Sequence, residues 1–459
     1  VTIVPESREI VSALRAGLVP RRGLEHYATG LDALVKVVGE ELDLVATGKG
    51  GAKWLRGEYG AGKTFAARHL CAAARARGFA TAEVQISIND TPLYQLETVY
   101  RRLVERLETA SDGANAFSAV VDGWLYQLGE EVRRVKGLAE DDPAFAGATE
   151  ERLEDKLADL TRRNPAFAQV LRGYHRAMHA GNFAEALGLL AWLGGQPHTE
   201  GRVMAAAGVR GKIDGQAALT FLVGILQLLR QSGYAGLVVV LDEVETIQRM
   251  NAQTRMRSLI ELRHLMDMLA NDEFPGLYLL VTGTRDFYEG PKGLKQEAAL
   301  YGRVGVKFDD DPRWDNLRAP QVRLLPFDRD RLFQVGQRVR DLYPSAQPSR
   351  LMATVSDAFL RALVDQVSTG FGGKVAVAPR IFLRALTDVL DRVDMHQGFD
   401  PVQHYKLEID LAQLRPEELA AARGQELPEH AEADGDAPEP VAAPPVADPP
   451  TKPRTRLDG

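Results

Sequence analysis

One cysteine in 459 residues leaves no partner for a disulfide within the chain. The thiol, Cys71, falls in an apolar, alanine-rich stretch where packing accounts for it better than chemistry, and its usage fits a reducing compartment. No apolar run approaches the roughly 20 residues that a helical bilayer span needs, so no membrane role is expected. Residues 1–15 mix charges with short apolar stretches instead of following a signal-peptide pattern, so the expected location is cytoplasmic. An excess of basic charge is missing too. The net charge is −7, and the last 35 residues alone hold eight acids against three bases, which leaves −2 for residues 1–424. That balance lacks the global basic signature of a nucleic-acid binder, while a local basic face or a pore built by several subunits stays open. No solenoid-type repeat is evident.

What is present is organised around Arg56-Gly57-Glu58-Tyr59-Gly60-Ala61-Gly62-Lys63-Thr64, which fits the pattern G-x-x-x-x-G-K-[ST] of a phosphate-cradling loop. Gly57, Gly60 and Gly62 let the backbone bend around an anion and turn several N–H groups inward. Lys63 supplies an ammonium for the β- and γ-phosphates, and Thr64 a hydroxyl for Mg²⁺. Residues 52–56 read as a strand before the loop and residues 65–74 as a helix after it, whose positive end faces the same phosphates. Gly57, Glu58, Tyr59, Gly60, Ala61, Gly62, Lys63, Thr64 and Phe65 are therefore the expected ATP-binding residues.

The rest of the chain follows in order. Ser7 is placed to cap a helix carrying Ile10, Val11, Leu14 and Leu18, and a second amphipathic helix starts near Gly30. These segments either lie near the adenine or simply pack. Residues 81–88 alternate as a strand, and a helix with Leu96, Val99, Tyr100, Leu103, Val104 and Leu107 on one face follows. From 111 to 217 strand signals vanish, which predicts an all-helical insertion serving as a platform for a partner or DNA, or only as extra packing. After an apolar helix over 216–230, residues 237–241 form a continuous apolar run ending in Asp242-Glu243, the pattern of a parallel strand buried on both faces. Asp242 is placed to hold Mg²⁺ and Glu243 to polarise the attacking water. Glu245 either supports Glu243 or caps the next helix. Another strand, 277–284, ends in polar residues; Thr284 is the first candidate to orient the water and Thr282 the second. Arg303 is either an arginine finger for a neighbouring subunit or an ordinary surface residue. A fifth strand spans 321–327. Helices are expected over 329–342, 357–367 and 379–393, the last opened by Ala378-Pro379-Arg380, with Arg380 a second arginine facing the nucleotide. Residues 400–424 form a short closing segment. Beyond Gly424 the chain is rich in Pro, Ala and acids and reads as a disordered tail.

This succession resembles the AAA+ superfamily, near the origin-recognition-type ATPases. The stretches Gly17-Leu18-Val19-Pro20, 56–64, 233–237, 241–245, Thr282-Gly283-Thr284 and Ala378-Pro379-Arg380 narrow the resemblance to the ATP-binding proteins of BREX-type phage-defence systems, the BrxD group, over roughly residues 5–400. The resemblance implies an α/β P-loop fold with a parallel sheet, a large helical insertion and an all-helical lid. The expected units are 1–110 (N-terminal helices and the first half of the ATPase domain), 111–217 (insertion), 218–327 (second half, with the Walker B strand, the sensor strand and the fifth strand), 328–424 (lid) and 425–459 (tail). It also implies ATP hydrolysis beside a helicase partner in defence against foreign DNA, with contact to double-stranded DNA and self-association as further expectations. Origin-type relatives usually carry a winged-helix domain after the lid; here the 24 residues 401–424 that precede the expected tail are too few to build one, so DNA contact is expected from the insertion, the lid or an oligomer.

Two other readings compete. One is a slow nucleotide-gated switch or scaffold that assembles a protein partner. The other is a small-molecule kinase, disfavoured by the apparent lid arginine and the lack of an evident acceptor pocket.

Overall fold

A computed structural model of the chain describes residues 4–370, 379–407, 414 and 419. Six strands form one sheet: β1 (Gly51–Arg56), β2 (Ala80–Gln85), β3 (Leu107–Glu108), β4 (Leu237–Asp242), β5 (Leu277–Gly283) and β6 (Gln321–Arg323). Their spatial order is β3-β2-β4-β5-β1-β6, parallel throughout except for the short edge strand β3. Every residue of β4 and β5 is buried, as unbroken apolar runs between two helical layers require. The register sets Gln85 beside Asp242, Leu241 beside Val281, and Leu55 and Arg56 beside Thr282 and Gly283. The carboxyl ends of β1, β2, β4 and β5 therefore meet along one edge.

The pleat divides the strands between two cores. Val238, Val240, Tyr278 and Leu280 pack with α2 (Asp32–Ala46) and α3 (Lys63–Ala76). Val239, Leu241 and Leu279 pack with α4 (Leu96–Glu105), α10 (Gly215–Gln231) and α11 (Ala252–Ala270). Helices α5 (Phe117–Lys136), α6 (Phe145–Arg163), α7 (Pro165–His179), α8 (Phe183–Leu193) and α9 (Gly201–Ala206) fill the stretch between β3 and α10. Their buried residues, among them Trp124, Leu157, Phe167 and Leu193, belong to the same cluster as the second sheet face. The helical stretch thus thickens one layer and has no core of its own.

Two short helices follow β5: α12 (Arg285–Glu289) and α13 (Ala298–Val304). A third core joins α14 (Arg329–Leu342), α15 (Pro348–Thr354), α16 (Asp357–Gly370) and α17 (Pro379–Met395) to the N-terminal α1 (Ser7–Arg15), through Ile10, Leu14, Leu332, Leu360 and Phe382. The chain's first helix therefore closes its last bundle, and α18 (Pro401–His404) follows. Among the described residues no helix is long and apolar enough to cross a membrane.

Several expectations need correction. Ser7 lies inside α1, where its hydroxyl accepts the Val4 N–H at 3.1 Å, and Glu6 takes the cap position. Leu107 leaves the helix to pair with Ala82 in β3. β2 stops at Gln85, and β6 is three residues long, with the flanking Pro320 carbonyl and Leu324 N–H also bonded to β1. Helix α15 went unforeseen. Ala378, the tail over 425–459 and most of 408–424 lie outside the described residues.

Candidate nucleotide site at the strand ends

The loop after β1 turns at Gly60 and Gly62, both left-handed with φ of 79° and 82°, a region that costs a side chain dearly. A Cβ on Gly57 would stand 3.1 Å from that of Ala61, so the loop's tight curvature also needs the first glycine. Gly62 is the N-cap of α3, which opens on Lys63 and points its positive end into the concavity.

Lys63 and Thr64 each reach the next layer. The Lys63 Nζ donates to the Gly57 carbonyl at 3.1 Å and lies 3.6 Å from a carboxylate oxygen of Glu245. The Thr64 hydroxyl donates to Asp242 Oδ2 at 2.8 Å. The other Asp242 oxygen accepts the hydroxyl of Thr282, which in turn accepts the backbone N–H of Glu243 at 3.2 Å. Burial raises the Asp242 pKa, and the bonds from Thr282 and Thr64 offset this only in part. Two hard oxygen ligands, one of them a buried carboxylate short of countercharge, suit Mg²⁺, which keeps most of its coordination for water and phosphate.

Glu243 is one of three non-glycine residues with positive φ among the described residues, at 60°. Such strain persists only where the surroundings fix it, and it clusters at functional sites. Here the Thr282 hydroxyl holds its N–H and the Gln85 side chain donates to its carboxylate at 2.7 Å. Glu245 is buried with its Oε2 unpartnered among the described residues, and burial raises its pKa against the pull of Lys63.

These groups open into a cavity of about 730 Å³, within the range of small-molecule sites. Loop residues 59–65, Asp242, Glu243 and Glu245 line one end. Leu18, Val19, Tyr27 and Leu31 line the other, so the N-terminal segment does border the pocket; Tyr27 meets Phe65 edge-on at 5.2 Å. Thr29, also in the lining, has a buried hydroxyl without a partner among the described residues. Pro379, Arg380 and Leu383 of α17 close the cavity from the C-terminal bundle.

The family described as BREX system ATP-binding protein BrxC/D matches residues 4–409. The chain belongs to that family. No curated protein sequence matches it. In this BREX ATP-binding protein, the residues expected from sequence divide into two groups. Lys63, Thr64, Asp242 and Glu243 are brought together, with Tyr59, Ala61, Phe65 and Arg380 around the same cavity. Gly57 and Glu58 shape the loop from outside the lining. Thr284 stands apart: its side chain caps α12 by accepting the Phe287 N–H at 3.4 Å, while Thr282 touches the acidic pair directly. Arg303, on α13, pairs with Asp267 of α11, half exposed and away from the cavity of its own chain. Glu245 neither caps a helix, since Asn251 caps α11, nor bonds Glu243; it faces Lys63. Gln85 was missed. Its one signal in the sequence is a polar residue at the carboxyl end of a strand.

Proposed function

We propose that this chain binds ATP with Mg²⁺ and hydrolyses it as an AAA+ protein of a BREX defence complex. The observation that carries the reading is the hydrogen-bonded line Thr64–Asp242–Thr282–Glu243, which joins the phosphate loop to the acidic strand end. Mg²⁺, when bound through Thr64 and Asp242, neutralises charge on the phosphate oxygens. Lys63 leaves Glu245 for the β- and γ-phosphates. Glu243 accepts a proton from water as the water oxygen attacks the γ-phosphorus, the bond to the ADP oxygen breaks, and ADP departs with the electron pair. Arg380, on a helical lid over 328–424, senses the γ-phosphate. Arg303, freed from Asp267, acts on the site of a neighbouring copy, and Thr284 or Thr282 aligns the water. BREX membership supports a role in a defence complex; in this reading the protein acts in the cytoplasm on DNA, beside a helicase partner and as a homo-oligomer.

A second reading is a slow nucleotide-gated scaffold. Gln85 on Glu243 and Glu245 on Lys63 favour it, because both hydrolytic groups are engaged elsewhere. Turnover of the purified protein, with and without double-stranded DNA, decides. Lys63→Ala is expected to lose ATP affinity, and Glu243→Gln to retain ATP while losing at least about 100-fold in turnover. Normal turnover in Glu243→Gln would overturn the hydrolytic role. Slow turnover indifferent to DNA would favour the scaffold.

A further inference from the structure

A second cavity, of about 410 Å³, opens at the sheet edge formed by β2 and β3. Five arginines line it: Arg21 from the N-terminal segment, Arg68 and Arg75 two turns apart on α3, and Arg102 and Arg106 at the end of α4. Three carboxylates face them, Glu83, Asp90 and Glu108, so the lining carries a formal charge of +2. Internal pairing uses only part of the guanidinium capacity. Arg68 grips Glu83 through two bonds of 2.7 Å, and Arg21 and Arg75 share Glu108 at 3.2 Å each. Arg102 pairs with Glu105, outside the lining, at 2.8 Å. Arg106 is exposed and makes no ion pair among the described residues. The hydroxyl-bearing Thr81, Ser87 and Thr91 complete the wall.

A concave site with more guanidinium than carboxylate, edged by hydroxyls, has the chemistry that grips phosphate oxygens. We propose that this cleft binds phosphate groups of a ligand other than the nucleotide in the loop. The source is either the phosphodiester backbone of a nucleic-acid strand or free phosphate. The two cavities are joined, since Arg21, Arg68, Glu83 and Gln85 line both, and Gln85 is the donor to Glu243. An anion in the cleft is therefore one side chain away from the Glu243 carboxylate. The inference goes beyond the ATPase reading, and its test requires no hydrolysis.

The test saturates the full chain with a non-hydrolysable ATP analogue, so that the loop is filled. A fluorescent thymidine oligonucleotide is then titrated by anisotropy, and radiolabelled inorganic phosphate by equilibrium dialysis. The variant R102A/R106A is expected to weaken binding roughly tenfold or more, and to lower the salt slope for the oligonucleotide by about 1.4, at about 0.7 per single-strand phosphate contact. R202A/R210A, on the surface of the helical insertion, removes the same charge elsewhere and is expected to change little. Oligonucleotide binding that phosphate does not compete for identifies a backbone ligand; phosphate binding alone identifies the free anion; either supports the site. Equal losses in both double variants, unchanged binding in R102A/R106A, or binding of neither probe overturns it. Should R102A/R106A fail to fold, Arg106→Ala alone leaves no orphaned carboxylate, and a threefold or greater loss is expected there.

Discussion

Gln85 Nε2 donates to Glu243 Oε2 at 2.7 Å, although one residue ends β2 and the other follows β4, with the whole helical insertion between them. The donated hydrogen bond engages the carboxylate and fixes the group at the end of β2. A base that must take a proton from water works better without that restraint. Gln85→Ala is therefore expected to raise basal ATP turnover by about threefold to tenfold, with ATP affinity unchanged. Steady-state phosphate release measures it, and lower turnover would show that Gln85 positions the base instead of restraining it.

Thr282 is fully buried and serves Asp242 and the Glu243 backbone with one hydroxyl. Thr282→Val keeps the shape and deletes both interactions, leaving a buried carboxylate oxygen and an N–H without partners. About 1–3 kcal/mol of stability is expected to be lost, and turnover to fall at least about tenfold as the acidic pair loses its alignment. Thr284→Ala deletes a helix cap at a cost of about 1 kcal/mol. If Thr284 aligns the water, its variant also loses turnover; if only Thr282 matters, Thr284→Ala turns over normally. Chemical denaturation and phosphate release on both variants separate the two threonines.

Glu245 is the group that ATP phosphates must replace at Lys63, 3.6 Å away. It also places a third acid near Asp242 and Glu243, all of which repel an anionic ligand. Glu245→Gln removes that competition and that repulsion. ATP and ADP are expected to bind about threefold to tenfold tighter, roughly 1 kcal/mol, as read by calorimetric titration. Weaker binding would mean that Glu245 holds Lys63 in its working position.

How much of this was legible follows the range of each interaction. The loop and the buried run ending at Asp242 are local patterns, and the sequence analysis located both. Thr282 and Thr284 share a phase in an alternating strand, but β5 ends at Gly283 and Thr284 caps the next helix, so a one-residue boundary gives the two side chains different partners. Neither alternative for Glu245 foresaw its contact with Lys63, because the left-handed backbone at Glu243 redirects the chain immediately before it, and composition gives no sign of that turn. Gln85 depends on β2 pairing with β4 across the insertion, a register that no local pattern encodes. The hydrophobic periodicity of α5 to α9 identified helices but could not reveal that their core is continuous with the sheet.

The helical insertion contains its own acid sensitivity. His175 and His179 stand one turn apart on α7 with their Nε2 atoms 3.0 Å apart. Burial, with the neighbouring His179 adding to it, pushes the His175 pKa down to about 4. An unfolded histidine titrates near 6.5, so between about pH 6.5 and 4 the unfolded chain binds the extra proton and the folded chain does not. Stability from this group is therefore fully present above pH 6.5, lost as pH falls through that window, and constant below it. His175→Gln removes the titration. The melting temperature of the wild-type protein minus that of the variant is expected to shrink steadily from pH 7.5 to pH 4.5. A pH-independent difference would mean that His175 takes up its proton in the folded insertion as readily as in the unfolded chain.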